Sequence, residues 1–234
     1  MNKLDAILRL NKDFYKDAAV SFSKTRRGFW KGWGRVAAIG GKDVGDRFKV
    51  LDVGCGNGRF LSFIKKHFPN SKIIYTGLDN NDELLSQAKN DHPEGKFVKT
   101  DFLKNLNNIA KKKYDLVACF GVTHHIPTAK LRLDFFKMLG KSVNSGGYLV
   151  VTFWQFDIKK SYKIREFEKL LGKNDFILGW DNKPNLFRYC HLYDDKEKSQ
   201  IDKLLNKSGL FLAEEFLDIG NDGAGSHYFI WRKN

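Results

Sequence analysis

Asp52-Val53-Gly54-Cys55-Gly56-Asn57-Gly58 sets an acid and alternating glycines between an apolar run, Val50-Leu51, and Phe60-Leu61, which opens a helical pattern. Glycine lets the chain turn sharply and keeps side chains out of the way of a close ligand. Such a turn aims the N–H groups at the start of the next helix toward a ligand's negative end. Two further acids fall at strand tips: Asp79 after Ile73-Ile74-Tyr75-Thr76-Gly77-Leu78, and Asp101 after Phe97-Val98-Lys99-Thr100. A carboxylate in the position of Asp79 can accept a ribose diol or cap the helix that follows, and both roles stay open. After a fourth apolar run, Tyr114 to Phe120, comes Gly121-Val122-Thr123-His124-His125-Ile126-Pro127. Ligands of open α/β sheets sit outside the carboxyl ends of the strands, so this loop faces the reacting group. Between Ser21 and Trp33, Lys24, Arg26 and Arg27 interleave with Phe22, Phe29, Trp30 and Trp33. That stretch suits phosphate pairing with base stacking, or equally a surface loop pinned by its tryptophans.

The elements that position these groups alternate strand and helix. Helix Arg59 to about Phe68 is stopped by Pro69, a second helix covers Asp82 to Lys89, and Ser145-Gly146-Gly147 turns into a buried fifth strand, Tyr148 to Trp154. Before them, Leu4, Ile7, Leu8, Leu10, Phe14, Tyr15 and Ala18 recur at helical spacing, giving an N-terminal helical extension over residues 1–35. Residues 155–195 break the alternation and read as an insertion over the site. Ile201, Leu204 and Leu205 mark a helix, and Phe211–Ile219 and Ser226–Trp231 read as the last two strands. The expected architecture is one α/β domain over 1–234, with a mostly parallel seven-stranded sheet.

Charge and cysteine content narrow the setting. Forty-one Lys and Arg against 27 Asp and Glu give a formal charge of +14. Such an excess favours polyanions, nucleic acid first, although a lysine-rich proteome gives the same composition. Cys55, Cys119 and Cys190 are scattered and odd in number, which predicts reduced thiols and no metal framework. With no bilayer-length apolar run and no signal-peptide core, the expected location is cytoplasmic.

The D-x-G-x-G-x-G spacing resembles motif I of class I S-adenosylmethionine (SAM) methyltransferases, whose fold is Rossmann-like. The resemblance implies that Asp52, Gly54, Cys55, Gly56, Gly58, Asp79, Asn80, Asp101, Phe102 and Phe120 bind the cofactor, with Asp101 taking the adenine amino group. Three segments narrow it. Phe22-Ser23-Lys24-Thr25-Arg26 with Trp30, the pair His124-His125, and Phe187-Arg188-Tyr189-Cys190-His191-Leu192-Tyr193 resemble the methyltransferases that esterify carboxymethyluridine at the wobble position of tRNA. That domain also occurs fused to AlkB-type oxygenases. Phe29 and Cys190 stand where the family carries proline and tyrosine. The resemblance implies tRNA as substrate and a small zinc-binding activator as partner. It makes Arg26, His124, His125, Arg188 and His191 catalytic candidates, and Lys24, Arg26, Arg27, Trp30 and Tyr189 substrate contacts. Competing expectations are a methyltransferase of a small metabolite or quinone precursor, and a non-catalytic RNA-binding protein that keeps the fold.

Overall fold

The computed structural model describes residues 3–25, 28–41, 44–180, 183, 185–219 and 225–234, and of residues 3 and 20–25 the backbone alone. A seven-stranded sheet runs in the order β3-β2-β1-β4-β5-β9-β8. Its strands are β1 (Arg47–Val53), β2 (Lys72–Asp79), β3 (Lys96–Lys99), β4 (Tyr114–Cys119), β5 (Val143–Gln155), β8 (Leu210–Ile219) and β9 (Gly225–Lys233). β1 to β5 pair in parallel, and β9 enters antiparallel between β5 and β8. This is a Rossmann-like arrangement, with the mostly parallel seven-stranded sheet that the sequence predicts.

Burial on both faces explains why the central strands read as unbroken apolar runs. Leu51 and Val53, Val117 and Cys119, and Leu149, Val151 and Phe153 point to one core with Phe136, Leu139, Leu205 and Trp231. Their neighbours Val50, Leu116, Ala118, Tyr148 and Val150 point to the other, with Trp33, Phe60, Ile64, Leu85 and Phe97. The helices on the first face are α6 (Ala129–Lys141) and α8 (Asp195–Asn206); on the second lie α2 (Lys31–Gly40), α3 (Arg59–His67) and α4 (Asp82–Asp91). A short α5 (Leu106–Ile109) follows β3. Each large side chain moved from water into these layers contributes about 1.5–3 kcal/mol.

Two expectations need correction. Ser145-Gly146-Gly147 is no turn: β5 runs through it from Val143, and the register against β4 slips between Tyr114 and Leu116, so the glycines form a bulge. β3 is also shorter than its apolar run, leaving Asp101 two residues past the strand.

The N-terminal extension is α1 (Lys3–Thr25), whose buried stripe Ile7, Asn11, Phe14 and Ala18 has helical spacing. Between β5 and α8 the described residues fold over the carboxyl ends of the strands as a 3-10 turn (Ile158–Lys160), α7 (Arg165–Glu168) and an antiparallel pair, β6 (Asp175–Gly179) and β7 (Phe187–His191). One face of the pair, Ile177, Tyr189 and Phe187, packs on Ile7 and Leu10 of α1. Helix and strand pair together make a roof.

Candidate active site

The glycine turn after β1 is shaped by what stands beside it. At Gly54, with φ of +79°, a Cβ would lie 2.1 Å from Val122 Cγ2, so no other residue fits. Gly56, at φ +54°, has open space where its Cβ would be and forms bare floor for a ligand. Its N–H donates to Asp79 Oδ2 at 2.9 Å, and Asn81 N–H donates to Oδ1 at 2.9 Å. Asp79 is thus fixed through both oxygens, with acceptor capacity left for a ligand. Burial raises its pKa, and the N–H bonds from Asn81, Gly56 and Asn80 oppose that rise. The cap of α4 is Asn81, whose side chain accepts Leu84 N–H at 3.0 Å, which leaves Asp79 without the capping role.

Asp52, beneath the turn, accepts the Tyr75 hydroxyl at 2.5 Å. Burial pushes its pKa up to about 7; the Tyr75 bond lowers it, the Asp79 charge raises it and Arg59 lowers it. A cavity of about 1300 Å³ opens above these groups, lined by Asp52, Gly56, Asp79, Asn80, Asp101 and Phe102 on one side. Its other walls are α1, Trp30, Phe120, the His124-His125 turn, Trp154, Trp180 and Arg188.

His125 sits at the junction of roof and sheet. Its Nδ1 lies 2.9 Å from the Tyr189 carbonyl, an acceptor only, so that nitrogen carries the proton. Nε2 then accepts from the Tyr15 hydroxyl at 2.6 Å. The 3.4 Å approach of Asn11 Nδ2 to Nδ1 is therefore no hydrogen bond; Asn11 Nδ2 donates to the His125 carbonyl at 3.3 Å instead. Burial, then the charge of Arg188, push the His125 pKa down to about 3 against the opposing Tyr189 bond, so the ring is neutral.

Arg188 is 7 % exposed and lies among rings, its guanidinium carbon 4.9 Å from the Phe14 centroid, 5.0 Å from Trp154 and 5.2 Å from Trp180. Its Nε has no hydrogen-bond partner, and among the described residues no carboxylate pairs with it. The rings return about 0.5–2 kcal/mol each. They supply no counter-charge.

The comparisons with known proteins agree with this geometry. Residues 51–149 match the family described as Methyltransferase domain. A protein of Encephalitozoon cuniculi with a provisional methyltransferase name is 29% identical over 182 residues, covering 77% of this chain and 78% of that one. The tRNA (carboxymethyluridine(34)-5-O)-methyltransferase of Saccharomyces cerevisiae is 27% identical over 144 residues, 61% of this chain but 47% of its own length, so the chain spans about half of that enzyme. Among solved structures, magnesium protoporphyrin IX methyltransferase from Synechocystis with bound SAM superposes with a TM-score of 0.61 at 16% identity, covering 100% of this chain and 98% of that one. Residues 51–149 carry a SAM-dependent methyltransferase domain, and the chain has the class I fold.

The residues fit SAM. Gly56 gives a floor with no side chain, and Asp79 stands at its rim with lone pairs for a diol. Asp101, whose Oδ1 also accepts Leu103 N–H at 3.2 Å, borders the far end with Phe102, where the adenine amino group would sit. The volume exceeds the roughly 300–1,000 Å³ of a single small-molecule site, leaving room for a second reactant. Cys55 and Phe120 line the same cavity, whereas Gly58 turns toward Ala88, His92 and Phe97.

Of the other sequence candidates, the structure brings His124, His125, Arg188 and Trp30 to the cavity. Trp33 is buried against Phe60 and Phe63 with an edge at the cavity, so this part of the basic-aromatic stretch is mostly core. Arg26 and Arg27, and the Lys24 side chain, lie outside the described residues.

Tyr189 and His191 are not part of the site. Side chains alternate along β7, so those of Tyr189 and His191 point away from the one that holds Arg188. The Tyr189 hydroxyl donates to Asp175 at 2.6 Å. His191 bridges Asp175 at 2.7 Å and Glu197 at 2.9 Å, and Arg132 completes the network at 2.9 Å from Glu197. Burial lowers the His191 pKa, but the bonds to Asp175 and Glu197 outweigh it and the net shift is upward. His191→Gln should cost about 1–3 kcal/mol in a denaturant titration and leave the SAM dissociation constant unchanged. A weakened SAM affinity at full stability would return His191 to the site.

Among the described residues, His124, His125 and Cys190 place donor atoms within 4.8 Å of one another. Both His125 nitrogens are engaged and the Arg188 guanidinium adjoins Cys190, a poor setting for a cation. No helix of the described residues is long and apolar enough to cross a membrane. Sequence reasoning missed Asn11, Tyr15, Phe14, Trp154 and Trp180. The available signal was Asn11, a polar residue in the register of the buried stripe of α1.

Proposed function

We propose that this enzyme methylates tRNA, esterifying the carboxylate of a carboxymethyl-type wobble uridine. The observation that carries the reading is Arg188, a buried guanidinium at the cavity wall without a carboxylate partner among the described residues. A planar five-donor fork in that state is matched by a carboxylate supplied by substrate. SAM supplies an electrophilic methyl group when bound. The chain's residues have only to hold the nucleophile in line and exclude water, because a carboxylate with a pKa near 4 is ionised at pH 7 without a base. His125, neutral and hydrogen-bonded at both nitrogens, orients rather than abstracts. The net charge of +14 and the yeast relative support RNA as the carrier of the carboxylate.

The test is incubation with methyl-labelled SAM and unfractionated tRNA, followed by mild base. The expected result is label released as volatile methanol, the signature of an ester. The value of kcat/KM should fall with added salt, with a log–log slope of about −0.7 for each phosphate contacted. Label retained on RNA would place the methyl on a base or ribose. Ester formed on a small carboxylic acid, indifferent to salt, would replace tRNA by a metabolite.

A further inference from the structure

Tyr15 has no assigned role, yet it is among the most constrained groups of the cavity wall. It lies on α1, and its backbone carbonyl accepts Asn81 Nδ2–H at 2.8 Å, tying the helix to the cap of α4. One turn earlier, Asn11 Oδ1 accepts the N–H of Tyr189 at 2.7 Å, tying the same helix to β7. Between these ties the Tyr15 ring meets His125 edge-on, with centroids 5.2 Å apart.

The direction of the hydrogen bonds follows without ambiguity. The Tyr189 carbonyl can only accept, so His125 Nδ1 donates to it. Nε2 is left with a lone pair, and the Tyr15 proton goes there over 2.6 Å. With that proton committed, Tyr15 Oη can serve a cavity ligand only as an acceptor. Arg188 reaches the same region, its guanidinium carbon 4.9 Å from Phe14, whose ring is 5.1 Å from that of Tyr15. Guanidinium groups only donate. The same cavity is therefore lined by a donor-only group and an acceptor-only group.

We propose that Tyr15 is the specificity residue of the acceptor pocket, its hydroxyl oxygen taking the imide N–H of a uracil ring whose C5 carboxylate is held by Arg188. The assignment rests on the uridine reading above. In uracil the C5 substituent and the N3–H flank the same carbonyl. A base held at its carboxylate by Arg188 thus presents its N–H on the neighbouring side, where an acceptor is required. An oxygen that only accepts also repels the carboxylate, so the base is held in one orientation. A buried acceptor of this kind discriminates against ligands that lack the matching N–H.

The experiment uses the full-length protein, labelled SAM and two synthetic anticodon stem-loops. One carries 5-carboxymethyluridine, and the other the same nucleoside methylated at N3. Wild type should form base-labile ester on the first with kcat/KM about 10–100-fold higher than on the second. Tyr15→Phe should reduce that preference to below about threefold while SAM affinity stays at the wild-type value and the protein remains folded. His125→Phe keeps Tyr15 but frees its proton to donate, and should erode the preference in the same way. A preference undiminished in Tyr15→Phe would overturn the assignment while leaving the uridine reading intact. No ester on either stem-loop with wild-type protein would overturn the uridine reading, and the assignment with it.

Discussion

Replacing Arg188 with methionine should lower kcat/KM for the RNA acceptor by at least about 30-fold while leaving the protein as stable as wild type or more so. Loss of a buried, charge-assisted partner to a bound carboxylate costs about 2–5 kcal/mol in binding, which is a factor of about 30 to several thousand. The stability half of the expectation follows from the same observation. In the free protein the guanidinium is largely held out of water by Phe14, Trp154 and Trp180 with no carboxylate of the described residues opposite it, so the ring contacts offset its desolvation only in part. An apolar side chain of similar length removes that penalty and keeps the packing. SAM binding should be unaffected, because its contacts are assigned to Asp79 and the glycine turn and not to Arg188. A denaturation midpoint, a SAM titration and an initial-rate series separate the three quantities. If Arg188→Met lost stability and both binding functions together, the residue would be a structural cation and the acceptor reading would lose its main support.

What the sequence made legible follows from the range of the interactions involved. β1, its glycine turn and α3 were readable because their constraints are local: an apolar run, an acid, and glycines whose positive φ angles no other residue supplies cheaply. Asp79 and Asp101 were readable for the same reason, each closing its strand or standing just past it. The roof was not. Arg188 meets Phe14 from a distance of more than a hundred residues, and Asn11 and Tyr15 act on His125 across a similar span. Nothing in either local pattern announces those meetings. His191 shows the opposite failure. It shares a segment with Arg188 and matches the family pattern as well, but a shift of three along a strand puts it on the other face, between Asp175 and Glu197. A motif names residues; the pleat decides which of them reach the ligand. The Ser145-Gly146-Gly147 stretch misled in a simpler way, since glycines mark bulges within strands as well as turns between them.

Asp79→Ala should abolish measurable SAM binding, a loss of at least about 100-fold, without unfolding the protein. Two hydrogen bonds from ribose hydroxyls to one carboxylate contribute about 1.5–3 kcal/mol each, which together account for a drop of two to four orders of magnitude. The same carboxylate accepts the N–H groups of Gly56 and Asn81, so the alanine variant also releases the turn that forms the ribose floor. Asp79→Asn separates the two contributions. An asparagine retains one acceptor oxygen and adds donors, so it can keep only one of the two N–H bonds and faces the other with an N–H of its own. Its SAM affinity should fall between wild type and Asp79→Ala, and more steeply than loss of one ribose contact alone requires. Calorimetric titration of SAM into the three proteins, with circular dichroism to confirm that each is folded, tests the ordering. Because burial holds the Asp79 pKa above the ordinary carboxylate value, SAM affinity should weaken as pH falls toward that raised value. The weakening should disappear in Asp79→Asn, where nothing remains to be protonated at that position. Unchanged SAM affinity in Asp79→Ala would remove the ribose from this carboxylate and leave Asp79 as the brace of the glycine turn.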